Sequence, residues 1–199
     1  MNWSTLATSS GAYGLKNSYD AAILTFINSG ISTSVYGSDH ATNSIDCGFS
    51  AGEVTPLAIL SRLSRLLDEQ DIPEENRWVV ADPLFWEVMQ DENSKIMGVD
   101  FSGDEDSRLR NGRITDGLIR GFRCYKTNNV PDGSVVGNTT TGGIVLAGHM
   151  SGVSTASQIA ETEVLRSQKT FGDIVRGLHV YGRKVLRETA LAKCFYRVD

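Results

Sequence analysis

The chain has 199 residues, 40% hydrophobic and 22% charged, which is enough to bury a core in one or two domains and excludes both a disordered tail and a disulfide-stapled miniprotein. Its formal net charge of -5 excludes a grip on phosphate backbones by overall charge, so any nucleic-acid contact needs a local basic patch. No run of about 18 apolar residues is present for a membrane span, and Met1 to Thr5 carries no basic stretch leading into an apolar one. Three cysteines, Cys47, Cys124 and Cys194, lack C-x-x-C spacing and cannot all pair within one chain, so a reducing, cytoplasmic origin is expected.

The first fifty residues are nearly uncharged. Only Lys16, Asp20, Asp39 and Asp46 stand among many Ser, Thr, Asn and Gly, with one apolar cluster from Ala21 to Ile27. Such a segment is either an ordered surface packed on a neighbour or an unstructured arm. From Glu53 the character changes. Thr55 is an N-cap, Pro56 takes the first helical position, and Leu57, Leu60, Leu63, Leu66 and Leu67 recur at three-and-four spacing, which predicts a helix. Arg62, Arg65, Asp68 and Glu69 lie off that stripe, with Arg65 one turn from Glu69, on a face that is either solvated or a contact between subunits.

Asp71-Ile72-Pro73 stops the helix, Arg77 to Ala81 reads as a short buried strand, and Asp82-Pro83 opens a second helix through Leu84, Phe85, Val88 and Met89. Asp91 to Gly112 reads as a long acidic loop containing Asp100, Asp104, Glu105 and Asp106. Beyond it, Phe122 to Tyr125 is a strand, Val135 to Gly143 a surface loop, and Ile144 to Ala147 a second buried strand. Ser154 to Ala160 is expected as a short helix. Thr162 to Ser167, Leu178 to Leu186 and Leu191 to Val198 are expected as strands, with Gly177 and Gly182 as bends.

Catalytic patterns are missing from this framework. Gly148-His149-Met150-Ser151-Gly152 approaches a nucleophile elbow, but its serine sits one place late and no strong helix follows. His40, His149 and His179 show no ligand spacing for zinc, and the acidic run from Asp100 lacks the alternating donors and closing glutamate of a calcium loop. No phosphate-cradling glycine loop opens a helix after a strand. No catalytic residue, metal or cofactor is therefore assigned, and no enzyme is expected. The C-terminal third is basic, through Arg166, Lys169, Arg176, Arg183, Lys184, Arg187, Lys193 and Arg197. That pattern permits nucleic-acid binding, or a set of half-exposed strands whose charges meet the acidic loop across subunits.

Three segments, in order, carry a resemblance. The stretch Leu67-Asp68-Glu69-Gln70-Asp71-Ile72-Pro73, continued by Arg77 and closed by Asp82-Pro83, resembles a signature of tailed-phage major capsid proteins of the Hong Kong 97-type fold. Asn111-Gly112-Arg113-Ile114, with Gly121-Phe122-Arg123-Cys124-Tyr125 and Asn128-Asn129-Val130-Pro131, is similar to a second segment of that family, and Tyr181-Gly182 through Arg187 to a third. Glu188-Thr189 departs from the family's Pro-Glu.

The resemblance spans about Glu53 to Asp199. It implies an α+β fold with a peripheral domain carrying the long helix and an axial domain containing the later strands. Residues 1–52 would then be an N-terminal arm or partial extended loop, and 53–199 the capsid core. The arm and the extended loop are expected to be shortened, or to lie upstream of this chain.

The function implied is that of a structural coat protein of a tailed double-stranded DNA phage, assembled in the host cytoplasm into an icosahedral virion shell. Its partners would be itself in hexamers and pentamers, packaged DNA by weak non-specific contact, and scaffolding and portal proteins, with no membrane. Subunit-contact candidates are Arg62, Arg65, Asp68, Asp104 and Asp106. The rival readings are an encapsulin-type nanocompartment shell, which shares the fold, and a small nucleic-acid-binding protein using the basic C-terminal third.

Overall fold

The computed structural model describes residues 3–37, 44–91, 93, 94, 96, 118–131, 141–167 and 172–198. Its organising element is a mixed sheet. In chain order the strands are β1 (Val35–Tyr36), β2 (Ile45–Asp46), β3 (Arg77–Ala81), β4 (Leu118–Ile119), β5 (Phe122–Lys126), β6 (Thr141–His149) and β9 (Leu191–Val198). They lie side by side as β1-β9-β6-β3-β5-β4, with β2 following β1 along the same edge of β9. β6 runs antiparallel to both β3 and β9, while β3 and β5 are parallel.

Strand alternation divides the sheet's side chains between two cores. Val79, Ala81, Val145, Ala147, Ala192, Cys194 and Tyr196 point to one face, where helices α2 (Pro56–Asp68) and α3 (Pro83–Met89) cover them. The leucine stripe on α2 meets this face as expected, with Ile59, Leu60, Leu63 and Leu67 fully buried, and α3 adds Phe85, Trp86 and Met89. Both helices begin at the anticipated caps. Thr55 accepts from the Ala58 amide and Asp82 from the Phe85 amide, each ahead of a proline whose missing N–H would have had no partner. The alternate residues Trp78, Val80, Ile144, Leu146, Leu191 and Phe195 point to the other face, where Leu24, Ile27 and Ile31 close a second core.

Those three residues belong to α1 (Trp3–Ser29) and the turn beyond it, in the segment that composition left open between an ordered surface and an arm. Its 27 residues make α1 the longest described helix, so the long helix is not the leucine-striped α2. The segment gives no amphipathic signal because only its last two turns meet the sheet. The middle of α1 lies along a separate two-stranded ribbon of β7 (Val153–Arg166) and β8 (Asp173–Val185). Leu15 approaches Gly177, Tyr19 meets His179 and Tyr181 edge-on at 5.1 and 4.8 Å, Phe26 lies under Arg183, and Gly30 abuts Val185. The helix therefore runs in the direction of β8. From Leu15 to Gly30 it rises about 22 Å, against about 26 Å of strand from Gly177 to Val185, so the two stay in step.

The ribbon corrects two expectations. Ser154 to Ala160 is strand in β7, and Gly177 and Gly182 continue β8 without bending it away. Gly142 and Gly143, placed by sequence in a surface loop, lie within β6 beside β9. A side chain on Gly142 would come within 2.6 Å of the Tyr196 carbonyl, which keeps the position glycine. The long acidic loop falls almost wholly outside the described residues.

Candidate subunit-contact surfaces

The signature Leu-Asp-Glu…Ile-Pro…Arg builds a clamp. Past the end of α2 the chain reverses through two residues in left-handed conformations, Asp71 (φ 54) and Asn76 (φ 57), before entering β3. Arg77, the first residue of β3, points back under that turn and is buried. Its guanidinium donates to the Pro73 carbonyl at 2.9 Å, the Ile72 carbonyl and the Ser64 hydroxyl at 3.1 Å, and pairs with Asp68 at 2.6 Å. One planar fork thus satisfies two carbonyls that the turn leaves without backbone partners, and Asp68 supplies the countercharge.

The helix residues proposed as subunit contacts consequently differ in availability. Asp68 is committed to Arg77. Arg62 stacks over the Tyr36 ring at 4.7 Å, fastening β1 to α2, and lines an open groove with Phe49, Leu57 and Arg120. Burial raises the Tyr36 pKa, and the Arg62 charge acts against that rise. Among the described residues Arg65 pairs with Glu69, at 3.4 Å and well exposed, so it is the helix candidate most open to a partner. Asp104 and Asp106 lie outside the described residues.

A second clasp was not legible from the sequence. Three chain crossings connect the sheet to the α1–ribbon unit, near residues 30–34, 149–153 and 185–190, and they converge at one waist. Leu186 and Arg187 amides donate to the Gly152 carbonyl at 2.9 and 3.3 Å. Glu188 accepts from the Ser32 amide at 2.6 Å, the Ser32 hydroxyl, and the Thr33 amide at 3.2 Å. Those donors, Ser32 first, hold its carboxyl below the usual range. Lys193 donates to the Asn28 carbonyl at 2.9 Å, and burial pulls its pKa down against the pull of Glu188. Glu188, which breaks the family-like Pro-Glu, is thus the carboxylate that ties the exit of α1 to the exit of the ribbon.

The basic C-terminal third is largely occupied from within. Arg176 pairs with Glu163 at 2.6 Å, Arg183 stacks on Phe26 and Tyr181, Arg187 donates to Thr189, Lys193 is held by Asn28, and Arg197 forms a two-point contact with Asp46. These side chains straddle two faces of the ribbon and the far edge of the sheet, so they do not converge on one phosphate-binding stripe. His149 and Ser151 do meet, at 2.8 Å. Nδ1 of His149, however, accepts the Ser151 amide at 3.1 Å and caps the short turn Met150–Gly152, which is a structural task. Among the described residues no group of three metal-ligating side chains gathers, and no helix is long and apolar enough to cross a membrane.

What the ribbon does present is apolar surface. Val164, Leu165, Ile174, Leu178, Val180 and Leu186 are all exposed along it.

No protein-family model matches the chain, and no curated protein matches it. Solved structures do. A structure from Mycobacterium phage Che8 superposes with a TM-score of 0.71 at 26% identity, over 94% of this chain and 61% of that one. The capsid of cyanophage P-SCSP1u gives 0.66 at 16% identity, over 100% and 67%. The mature capsid of bacteriophage PhiM1 gives 0.60 at 13% identity, over 100% and 65%. The chain spans about three fifths to two thirds of the length of these structures. Its α+β fold is shared with these phage structures, two of them capsids, as the three sequence segments led one to expect.

Proposed function

We propose that the chain is a structural subunit of a tailed double-stranded DNA phage head, acting by association with copies of itself into an icosahedral shell. The observation that carries this reading is the superposition of nearly the whole chain on a structure from phage Che8, at a TM-score of 0.71. Two features of the molecule agree with it. Arg77, Arg176, Arg183, Arg187 and Arg197 are engaged in internal ties, which argues against a basic groove built from them. Several of its exposed apolar residues lie along one ribbon, which a covered surface would account for.

In this reading α1 and the ribbon form the peripheral element and the sheet with α2 and α3 the axial one, joined at the waist. Hexamers and pentamers are the assembling units, packaged DNA is touched weakly and without sequence preference, and scaffolding and portal proteins complete the set of partners. Assembly takes place in the host cytoplasm, and the virion is the final location. Arg65 is the first helix residue to test as a contact.

Sedimentation and electron microscopy of the expressed chain decide the matter. Closed shells or capsomer rings are expected. A chain that stays monomeric at every concentration overturns the proposal, and tight, salt-dependent DNA binding by that monomer would favour the nucleic-acid reading.

A further inference from the structure

The leucine stripe of α2 is incompletely covered at its start. Leu57 is only half-buried, and with Phe49 from the loop after β2 it floors an open groove of about 460 Å³, within the size of known ligand sites. The groove follows α2 from Thr55 to Arg62, a rise of about 10 Å, which is about three residues of extended chain. Arg62 borders it from the helix and Arg120 from the tip of the β4–β5 hairpin.

Arg120 is an unusual choice for its position. Arg120 and Gly121 have φ values of 53 and 81, the two-residue hairpin turn whose first place ordinarily goes to asparagine, aspartate or glycine. An arginine there strains the backbone and does nothing for the turn, while its exposed side chain lines the groove. Arg62 is already positioned, over the Tyr36 ring at 4.7 Å. Among the described residues no carboxylate pairs with either guanidinium. Glu53 accepts from the Ser50 amide at 2.7 Å, and Asp91 from the main-chain and side-chain N–H groups of Asn93 at 2.8 and 2.9 Å, so the acidic groups bordering the lining are turned elsewhere. In a chain of net charge -5, the groove is a local positive site over an apolar floor.

We infer that this groove docks a short extended peptide of a partner protein, in which an apolar side chain is flanked by aspartate or glutamate. The inference does not depend on the shell-forming reading. Alternation along an extended peptide sends the two flanking acids to the rim, where Arg62 and Arg120 are exposed, and the middle side chain down onto Leu57 and Phe49. Guanidinium forks pair carboxylates in two-point geometry, and the Thr55 and Ser61 side chains add polar groups for the peptide backbone. Two cations over an apolar floor are a poor seat for a duplex, whose binding proteins neutralise many phosphates at once.

The probe is a fluorescein-labelled, end-capped peptide carrying Asp-Leu-Glu between glycines, titrated with the full chain and read by anisotropy. Saturation with a Kd below about 1 mM is expected, weakening as salt is added. The Asn-Leu-Gln and Asp-Gly-Glu peptides should each bind about tenfold more weakly, the first for lost charge and the second for lost apolar burial. Arg120→Asn is the decisive variant, because asparagine suits the turn: Tm should hold or rise while affinity falls about tenfold or more. Arg62→Lys, which keeps the charge but not the fork, should lose part of the affinity. No saturation below that concentration, equal binding of the neutral peptide, or unchanged affinity in Arg120→Asn overturns the inference. Displacement of the peptide by an equal concentration of duplex DNA also overturns it and assigns the groove to nucleic acid. Binding that emerges only in an Asp104→Asn, Asp106→Asn chain overturns the foreign partner and assigns the groove to the chain's own acidic stretch.

Discussion

Replacing Arg77 by alanine is expected to destabilise the chain more than any substitution on its surface. The side chain is 2% exposed and serves two carbonyls, a hydroxyl and a carboxylate. Each carbonyl left buried without its donor costs about 1–3 kcal/mol. Asp68 is half exposed and returns to water, so its loss of partner adds about 0–1 kcal/mol. The sum is about 2–7 kcal/mol, and its middle, about 3–5 kcal/mol, is the range seen when one partner of a buried pair is removed. For a chain of this size about 2–4 °C of Tm accompanies each kcal/mol, so thermal unfolding by circular dichroism should shift by about 6–20 °C.

Asp68→Ala keeps the carbonyl contacts and should cost about 1–3 kcal/mol, and Arg77→Lys, which keeps the charge but not the fork, should fall between the two. The Asp68/Arg77 double-mutant cycle should show coupling of at least about 0.5 kcal/mol. A Tm change below about 3 °C for Arg77→Ala would refute the idea that the fork holds the turn together.

Further expectations follow from the buried groups. Tyr196 donates its hydroxyl to Asp82, and Tyr196→Phe should cost about 1–2 kcal/mol in urea unfolding. Gly143→Ala should destabilise by about 1–3 kcal/mol, because its new methyl would sit 2.8 Å from the Asp82 carboxylate and 2.9 Å from the Tyr196 hydroxyl. Burial pushes the Cys47 thiol up to about 12 and raises Cys194 and Tyr196 in the same direction. Above pH 9, the ordinary thiol value, the unfolded chain loses protons that the folded chain keeps, so stability should fall steadily from there toward pH 12. A flat alkaline profile would contradict this. At the waist the sign reverses. The Glu188 carboxyl is lowered, so its contribution holds above the ordinary value of 4.5 and fades on further acidification. Glu188→Ala should accelerate hydrogen exchange at the Ser32 and Thr33 amides at neutral pH.

How much could be read beforehand depended on how each element satisfies itself. α2 and α3 are covered on one side, so capping residues and apolar spacing announced them, and β3 and β5 were legible as short runs between turn residues. α1 was not. Its partners change along its length, from solvent to ribbon to sheet, and no single stripe survives that change. The second half of β7, from Thr162, was legible as strand, but its first half was not: both faces are wet around Ser154 to Gln158, so neither alternation nor a continuous apolar run marks it, and backbone pairing alone makes it a strand. The clamp residues Asp68 and Arg77 stood out as a pattern, but their pattern carried no geometry. Only the left-handed turn between them shows that they hold one another. Glu188 had no local signal, since its donors are 155 and 156 residues away.

That separation bears on synthesis. Tyr19 leaves the ribosome long before Tyr181, and at about 5–20 residues per second the helix waits about 8–30 s for the strand it packs on. A strongly amphipathic helix would spend that interval as an adhesive surface. One rich in Ser, Thr, Asn, Ala and Gly, with its densest apolar cluster in the last two turns, offers nascent neighbours little to bind. The plainness that hid α1 from periodicity is thus what suits it to emerge before the ribbon and to be docked on it later.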